Sequence, residues 1–164
     1  MHFNGVMLFE DEPERECWHE AGHAVIANQL GMTVLAIGFC WPNGPNGGAY
    51  PSTWVPTEGF ENDSVAKQLL SGSGAEILKF GDFDVTTCNS DVRAFRTLGR
   101  PFSRDHYINE AIEILKTKDD ALVRVYEQLM KERTNPSHEP FVDTDGIKKQ
   151  KYLTQEEFES LVVS

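Results

Sequence analysis

The fold of this chain is decided by residues 17–30, which read CWHEAGHAVIANQL. This stretch is rich in alanine and predicts one helix, with Pro13 in its first turn and a stop at Gly31. Asp11 or Glu12 is the expected cap at its N-terminus. The alanine and glycine content indicates a buried helix, so the polar residues within it need partners.

Two histidines and a glutamate on this helix form an HExxH motif, as His19, Glu20 and His23. Residues i and i+4 lie on one helical face, so both imidazoles can bind one zinc ion. Glu20 lies about 100° from His19 around the helix, beside the metal rather than on it. Zinc lowers the pKa of a bound water to about 7, and Glu20 can take its proton and pass it to the leaving nitrogen. The motif therefore predicts a metallopeptidase with Glu20 as general base and acid.

A catalytic zinc needs a third protein ligand and one open position. The extended motif HExxHxxGxxH is absent, because position 26 is isoleucine and position 29 is glutamine. The ligand must come from later in the chain, where the candidates are Glu76, Asp82, Asp84, Asp91 and His106. Spacing alone does not choose among them, and an aspartate at position 91 also suits the first turn of a helix.

The rest of the chain predicts an α+β fold that is predominantly helical, with a small antiparallel sheet and a C-terminal helical part. The expected elements are strands 33–41 and 49–55, helices 61–80, 89–99 and 105–133, a mobile loop over 134–151, and a last helix opening with the capping box 154–157. Pro51 predicts that strand 49–55 is either an edge strand or a bulged one. Asp63 or Ser64 is the expected cap of helix 61–80.

Three segments, taken in order, resemble the peptidase domain of the FtsH-type AAA zinc metalloproteases. HEAGHAVIA (19–27) is similar to that family's zinc helix, and GSGAEILKFGD (72–82) is similar to its Gly-Gly…Ala-Glu-Glu…Phe-Gly-Asp pattern. VTTCNSDVRAF (85–95) corresponds to the segment in which the family has its third zinc ligand, and that aspartate falls on Asp91. The likeness covers nearly the whole chain.

The resemblance implies a single FtsH-peptidase-like domain over residues 1–164, with a zincin-like HExxH helix. It implies that His19, His23 and Asp91 bind Zn²⁺ and that Glu20 is the catalytic residue. The phosphate-binding motif GxxxxGK[ST] is absent, so this chain carries no ATPase engine. The expected activity is that of a zinc metalloendopeptidase acting on peptides or unfolded protein, with a separate ATPase or a homo-oligomer left open as partners.

The amino-acid composition argues against some classes of binding partner and indicates a cellular compartment. The 164 residues hold 15 Lys and Arg against 26 Asp and Glu, a formal net charge of −11. An acidic chain does not suit general binding to nucleic acid or to an anionic membrane, and no apolar run approaches the roughly 20 residues that span a bilayer. Three cysteines are too few and too odd in number for a disulfide framework, so we expect a cytoplasmic protein.

Two alternatives stay open at this point. In the first, the chain is a catalytically inactive, zinc-stabilised binding or adaptor module on the same scaffold; it predicts bound zinc, but no rate that depends on Glu20. In the second, the HExxH is accidental and no zinc binds. Cys88, three residues before Asp91, is expected to be a buried spectator, with an approach to the metal as the other possibility.

Overall fold

The computed structural model describes residues 2–8, 12–40, 50–134, 140–142 and 148–163. In chain order the elements are β1 (Gly5–Val6), α1 (Pro13–Gln29), β2 (Ala36–Cys40), β3 (Tyr50–Trp54), α2 (Asn62–Phe80), β4 (Phe83–Asp84), α3 (Asn89–Thr97), α4 (Arg104–Thr117), α5 (Asp119–Thr134), β5 (Pro140–Val142), β6 (Lys148–Thr154) and α6 (Gln155–Val162). Over these residues the chain is predominantly helical, with a small antiparallel sheet. That much of the predicted fold class is confirmed.

Helix α1 begins with Pro13 in its first turn, as predicted, and the chain leaves it through Gly31 at a φ of +77°. Glu12 is the residue that precedes the helix, but its side chain makes no capping hydrogen bond. Instead it accepts a bond of 2.9 Å from Nε of Arg15. Asp11, the other expected cap, lies outside the described residues.

Helix α2 starts one residue later than expected and ends at Gly81, whose φ of +86° suits only glycine well. The prediction that Asp63 or Ser64 caps this helix is wrong, because both lie inside it and Glu61 holds the cap position. The carboxylate of Asp63 accepts a hydrogen bond of 2.6 Å from the hydroxyl of Tyr107. The Asp63 side chain, which the sequence predicts to cap its own helix, instead bonds to a residue of another helix.

Helices α1 and α2 pack closely through glycine. A Cβ at Gly22 would lie 2.5 Å from Cβ of Ala75 and 2.8 Å from the carbonyl oxygen of Ser71. The apolar positions of α1 are fully buried between α2, α5 and the sheet. This explains why the predicted zinc helix is the central element of the core rather than an amphipathic surface helix.

The antiparallel sheet has the strand order β3-β2-β6-β5, so β3 is an edge strand that contacts α1. Strands β2 and β3 pair antiparallel, as predicted, with Pro51 opposite Phe39. Strands β1 and β4 form a separate parallel pair. The turn expected at 42–48 lies outside the described residues.

Two expectations about the second half of the chain are wrong. The predicted mobile loop 134–151 contains β5 and the start of β6, which pair with each other; residues 135–139 and 143–147 are not described. Strand β6 begins with a polar run that is typical of a solvated loop. Lys149 within this run is nevertheless buried, with its Nζ 4.3 Å from the ring centre of Trp54. The single helix predicted over 105–133 is two helices, divided at Lys118. The apolar spacing continues across the break, since Leu115 and Leu122 are both buried.

The capping box predicted for the last helix is confirmed. Thr154 accepts a hydrogen bond of 3.2 Å from the backbone N–H of Glu157, and the Glu157 carboxylate accepts from the Thr154 backbone at 3.3 Å. These reciprocal bonds satisfy donors that the first turn of α6 leaves free.

Candidate metal centre and cleft

Three potential ligand atoms converge where α1, α2 and α3 meet. Nε2 of His19 and Nε2 of His23 are 3.0 Å apart, and each is 3.0 Å from Oδ2 of Asp91. The two histidines face one side of α1 because they are one turn apart. Asp91 reaches them from the first turn of α3. The structure therefore brings together all three residues that the resemblance names as metal ligands.

The opposite nitrogen of each ring fixes its tautomer. Nδ1 of His19 lies 2.8 Å from Oε2 of Glu76, and Nδ1 of His23 lies 2.9 Å from the carbonyl oxygen of Gln68. Both partners are acceptors, so each Nδ1 carries a proton, and when a ring is neutral the lone pair of its Nε2 points toward Asp91. Three lone pairs at this separation repel one another unless a proton or a metal cation lies between them.

Glu76 is itself held by several donors and is fully buried. Its Oε1 accepts from Nη1 of Arg15 at 3.2 Å and from the backbone N–H of Asp84 at 3.1 Å. Its Oε2 accepts from the Cys88 thiol at 3.1 Å as well as from His19. A carboxylate bound to the second nitrogen of a metal-binding imidazole orients the ring and makes it a better ligand.

The pKa values of His19, His23 and Asp91 all shift in the direction that favours a positive charge on the rings beside a negative carboxylate. Burial alone lowers the pKa of His19, but Cys88, Asp91 and Glu76 outweigh it and hold that pKa well above its ordinary value. Burial likewise opposes the charged form of His23, and Asp91 reverses this, so the pKa of His23 is raised. Burial disfavours the Asp91 carboxylate, but His23 and His19 keep the pKa of that group well below its usual range.

The thiol of Cys88 does not belong to this group of converging atoms. Its sulfur is 3.7 Å from Nδ1 of His19, on the side of the ring that faces away from His23 and Asp91. Burial raises its pKa to about 11, so the thiol stays protonated and donates to Glu76. Among the described residues His19, Glu76 and Cys88 form a second possible metal group. In that group, however, hydrogen bonds already join every member.

The other candidates for the third ligand lie elsewhere. Asp82 pairs with Arg15 at 3.0 Å, and Asp84 accepts from the backbone of Thr86 and the hydroxyl of Thr87. His106 lies on α4 with Nε2 3.1 Å from Glu110. None of these contacts joins Asp82 or Asp84 to a histidine ring; Glu76 makes that contact with His19 instead.

Glu20 lies beside the converging atoms. Its Oε1 is 4.0 Å from Nε2 of His19, while its Oε2 accepts a short hydrogen bond from the hydroxyl of Thr53 on β3. His19, Glu20 and His23 are only 2%, 5% and 5% exposed, but they line a cleft of about 640 Å³. The rest of the cleft wall comes from α1, α2, β3 and the segments around them: Glu16, Pro51, Ser52, Thr53, Val55, Thr57, Gln68, Leu69, Thr86, Thr87, Asn89, Ser90 and Asp91.

The donor set and the space around it fit a zinc ion. Bonds of about 2.0–2.1 Å at tetrahedral angles place ligand atoms roughly 3.3–3.4 Å apart, and the three observed separations of 3.0 Å need only a few tenths of an ångström of relaxation. Gly72 of α2 keeps this space clear. A Cβ there would lie 2.5 Å from Nε2 of His19 and 2.6 Å from Nε2 of His23.

Sequence reasoning missed three parts of the site: Thr53, Arg15 and the carbonyl group of Gln68. Each acts through a contact between separate elements. A single threonine, arginine or glutamine belongs to no motif whose spacing would predict such a contact. Glu76 was named only as a possible ligand, whereas it contacts the outer nitrogen of His19.

No protein-family model matches this chain, and no curated protein sequence matches it. Within the described residues, none of the helices is long and apolar enough to span a membrane. The chemistry of the site therefore has to be inferred from its own atoms.

Proposed function

We propose that this chain is a zinc-dependent metallopeptidase that hydrolyses peptide bonds in peptides or unfolded protein. His19, His23 and Asp91 would hold the ion, and Glu20 is the general base and acid. The resemblance of its three motif segments to FtsH-type peptidase domains supports a zincin-like site. The two described free thiols, Cys17 and Cys88, are consistent with a reducing, cytoplasmic setting.

One observation carries the proposal: three acceptor atoms converge at 3.0 Å on the wall of a cleft, with a carboxylate beside them. Because each Nδ1 donates to its own acceptor, Nε2 of His19 and of His23 are both free to bind a cation beside Asp91, either a proton or a metal ion. A buried cluster that served only to stabilise the fold would not need an additional carboxylate facing the cleft.

When bound, zinc supplies an activated water and polarises the scissile carbonyl. The chain does the rest. Glu20 Oε1 faces the ligand atoms and can accept a proton there, while Oε2 is occupied by the Thr53 hydroxyl. The carboxylate can then deliver that proton to the amine that leaves, as general base and general acid in turn.

Strand β3 offers the substrate a place to bind. It is one of the two edge strands of the described sheet, and Pro51, Ser52 and Thr53 line the cleft. An extended peptide can add to such an edge through backbone hydrogen bonds, which favours unfolded chains over compact ones. Residues 1–164 contain no phosphate-binding motif GxxxxGK[ST], so cleavage of a folded protein would need an unfolding activity from outside these residues.

The test is hydrolysis of a fluorescent unfolded casein by zinc-loaded protein, with metal content measured on the same sample. We compare Glu20→Gln with Glu113→Gln, which makes the same change at a 61% exposed side chain on α4. Turnover that is lost in Glu20→Gln alone would support the peptidase and identify the base. Bound zinc with no turnover in any variant would instead favour the zinc-stabilised binding module, and a protein that binds no zinc would refute both.

A further inference from the structure

Thr53 on strand β3 contacts Glu20, the proposed base, directly. Its hydroxyl donates a short hydrogen bond to Oε2 of Glu20 and also lies 3.4 Å from the carbonyl oxygen of Glu20. Within the described part of the chain, no other side chain is hydrogen-bonded to this carboxylate. The two oxygens of Glu20 therefore differ, since Oε1 faces His19 and Oε2 faces β3.

We propose that Thr53 is a positioning residue for Glu20, and that edge strand β3 thereby couples peptide binding to the placement of the base. The inference rests on the proposed peptidase function. One oxygen of the carboxylate is anchored by the Thr53 hydroxyl, and the other is left to exchange the proton.

The anchor matters because a glutamate side chain has several freely rotating bonds. Ordering a long side chain opposes the reaction entropically, and small misplacements of a reacting group lower rates steeply. Glu20 lies on α1, which is rigidly packed, but its carboxylate is at the end of the side chain. The hydroxyl of Thr53, on a different element, fixes the carboxylate end of the side chain. The helix alone fixes only the Cα and Cβ end.

The position of Thr53 in an edge strand gives the contact a second consequence. Among the described strands β3 pairs only with β2, so a peptide paired along its other edge would form a continuous sheet with it. Any peptide that orders β3 would also order the Thr53 hydroxyl and hence Glu20. We therefore expect loss of the hydroxyl to affect kcat more than KM.

The kinetic test uses Thr53→Val, which keeps the shape and removes the hydroxyl, and Thr53→Ser, which restores it. Thr117→Val is the matched control, because the Thr117 hydroxyl donates to the carbonyl of Ile114 within its own helix, at an exposed helix end away from the site. We expect kcat on casein to fall roughly 10- to 100-fold in Thr53→Val with KM within about threefold, while Thr53→Ser retains most of kcat.

A second measurement does not depend on turnover. Thr53→Val should lower the Tm of the zinc-loaded protein when Glu20 is present and should have a smaller effect when Glu20 is replaced by alanine, because the two side chains are bonded. Additive Tm shifts would overturn the inference, as would a Thr53→Ser variant that folds but does not recover kcat.

The outcomes separate this inference from the proposed function. Wild-type turnover with an unchanged kcat in Thr53→Val would overturn the role of Thr53 and leave the peptidase standing. A zinc-loaded wild type without turnover would overturn the peptidase and this role with it.

Discussion

Replacing Gly72 by alanine should abolish tight zinc binding, because α2 touches both histidines at this residue. The added Cβ would lie 2.5 Å from Cε1 and Nε2 of His19 and 2.6 Å from Nε2 of His23. These distances are about 0.9 Å short of the 3.4 Å at which ordinary contact begins. The obstructed atoms are the proposed ligand atoms themselves.

Neither helix can easily make room for that methyl group. On the neighbouring turn Gly22 of α1 already lies against Ser71 and Ala75 of α2, so moving the helices apart would open a gap in the core. Overpacking of this kind destabilises a fold by about 1–3 kcal/mol. The easier response is rotation of the two rings, which moves Nε2 beyond the tolerance of about 0.2 Å for a metal ligand. We therefore expect zinc affinity to fall at least about 100-fold, or roughly 2.8 kcal/mol.

Gly74→Ala is the matched control on the same helix. A Cβ there would meet Cβ of Ala111 at 3.4 Å and Cγ1 of Ile112 at 3.5 Å, which is ordinary contact. Alanine also favours a helix over glycine by about 1 kcal/mol, so this variant should be neutral or more stable. Zinc affinity is measured by competition with a chromophoric chelator, and the stability of the metal-free protein by urea unfolding. A Gly72→Ala variant that binds zinc as tightly as Gly74→Ala would refute the assignment of the ion to the Nε2 atoms.

Three further predictions concern groups around the site and the core. Glu76→Gln should weaken zinc binding about 10- to 100-fold in the same chelator assay, because it removes the charge that orients His19; unchanged affinity would contradict that role. Cys88 should resist iodoacetamide at pH 8 in the folded protein, since burial raises its pKa to about 11; rapid labelling, followed by mass spectrometry, would show that the thiol is accessible. Burial and the bond to Asp63 raise the pKa of Tyr107 to about 12, above its unfolded value of about 10. Its contribution to stability is therefore complete below pH 10 and is lost as the pH rises toward 12, so the urea midpoint should fall over that range by less in Tyr107→Phe than in wild type.

The sequence predicted correctly those features that depend on interactions within a few residues along the chain. The 19–23 spacing places two imidazoles on one helical face in any α-helix, so their convergence follows from the motif once the helix forms. Pro13 and Gly81 also act within their own turns, and both stand where predicted. The same applies to the capping box of α6, whose two bonds span three residues.

Contacts between elements could not be predicted in this way. Spacing identified Glu76 and Asp91 as possible ligands, but it could not say which nitrogen of His19 each would reach. That choice depends on how α2 and α3 approach α1: Glu76 faces Nδ1 and Asp91 faces Nε2. Asp91 was favoured by the resemblance rather than by any property of the aspartate itself. The contact of Thr53 with Glu20 joins two elements 33 positions apart and had no signal at all.

The misplaced elements have a related cause. Apolar spacing continues through Lys118, so periodicity merged α4 with α5; a helix break appears in sequence only when a residue such as proline or glycine marks it. In β6 the reverse occurred. Lysine side chains can cover apolar surface with their stems, so a strand rich in lysine looked like a solvated loop.

The number and placement of the donors bear most directly on what an ion would do here. A structural zinc site is closed by four protein ligands, whereas a catalytic one keeps an open position. His19, His23 and Asp91 supply three donors, and the nearest further sulfur, Cys88, lies on the Nδ1 side of His19 where it cannot join them. On the Nε2 side of His19, the carboxylate of Glu20 lines the cleft with its Oε1 4.0 Å from that nitrogen. Three donors on the wall of a cleft, with a carboxylate next to them, would suit the proposed hydrolysis better than a purely structural ion, which needs four protein ligands.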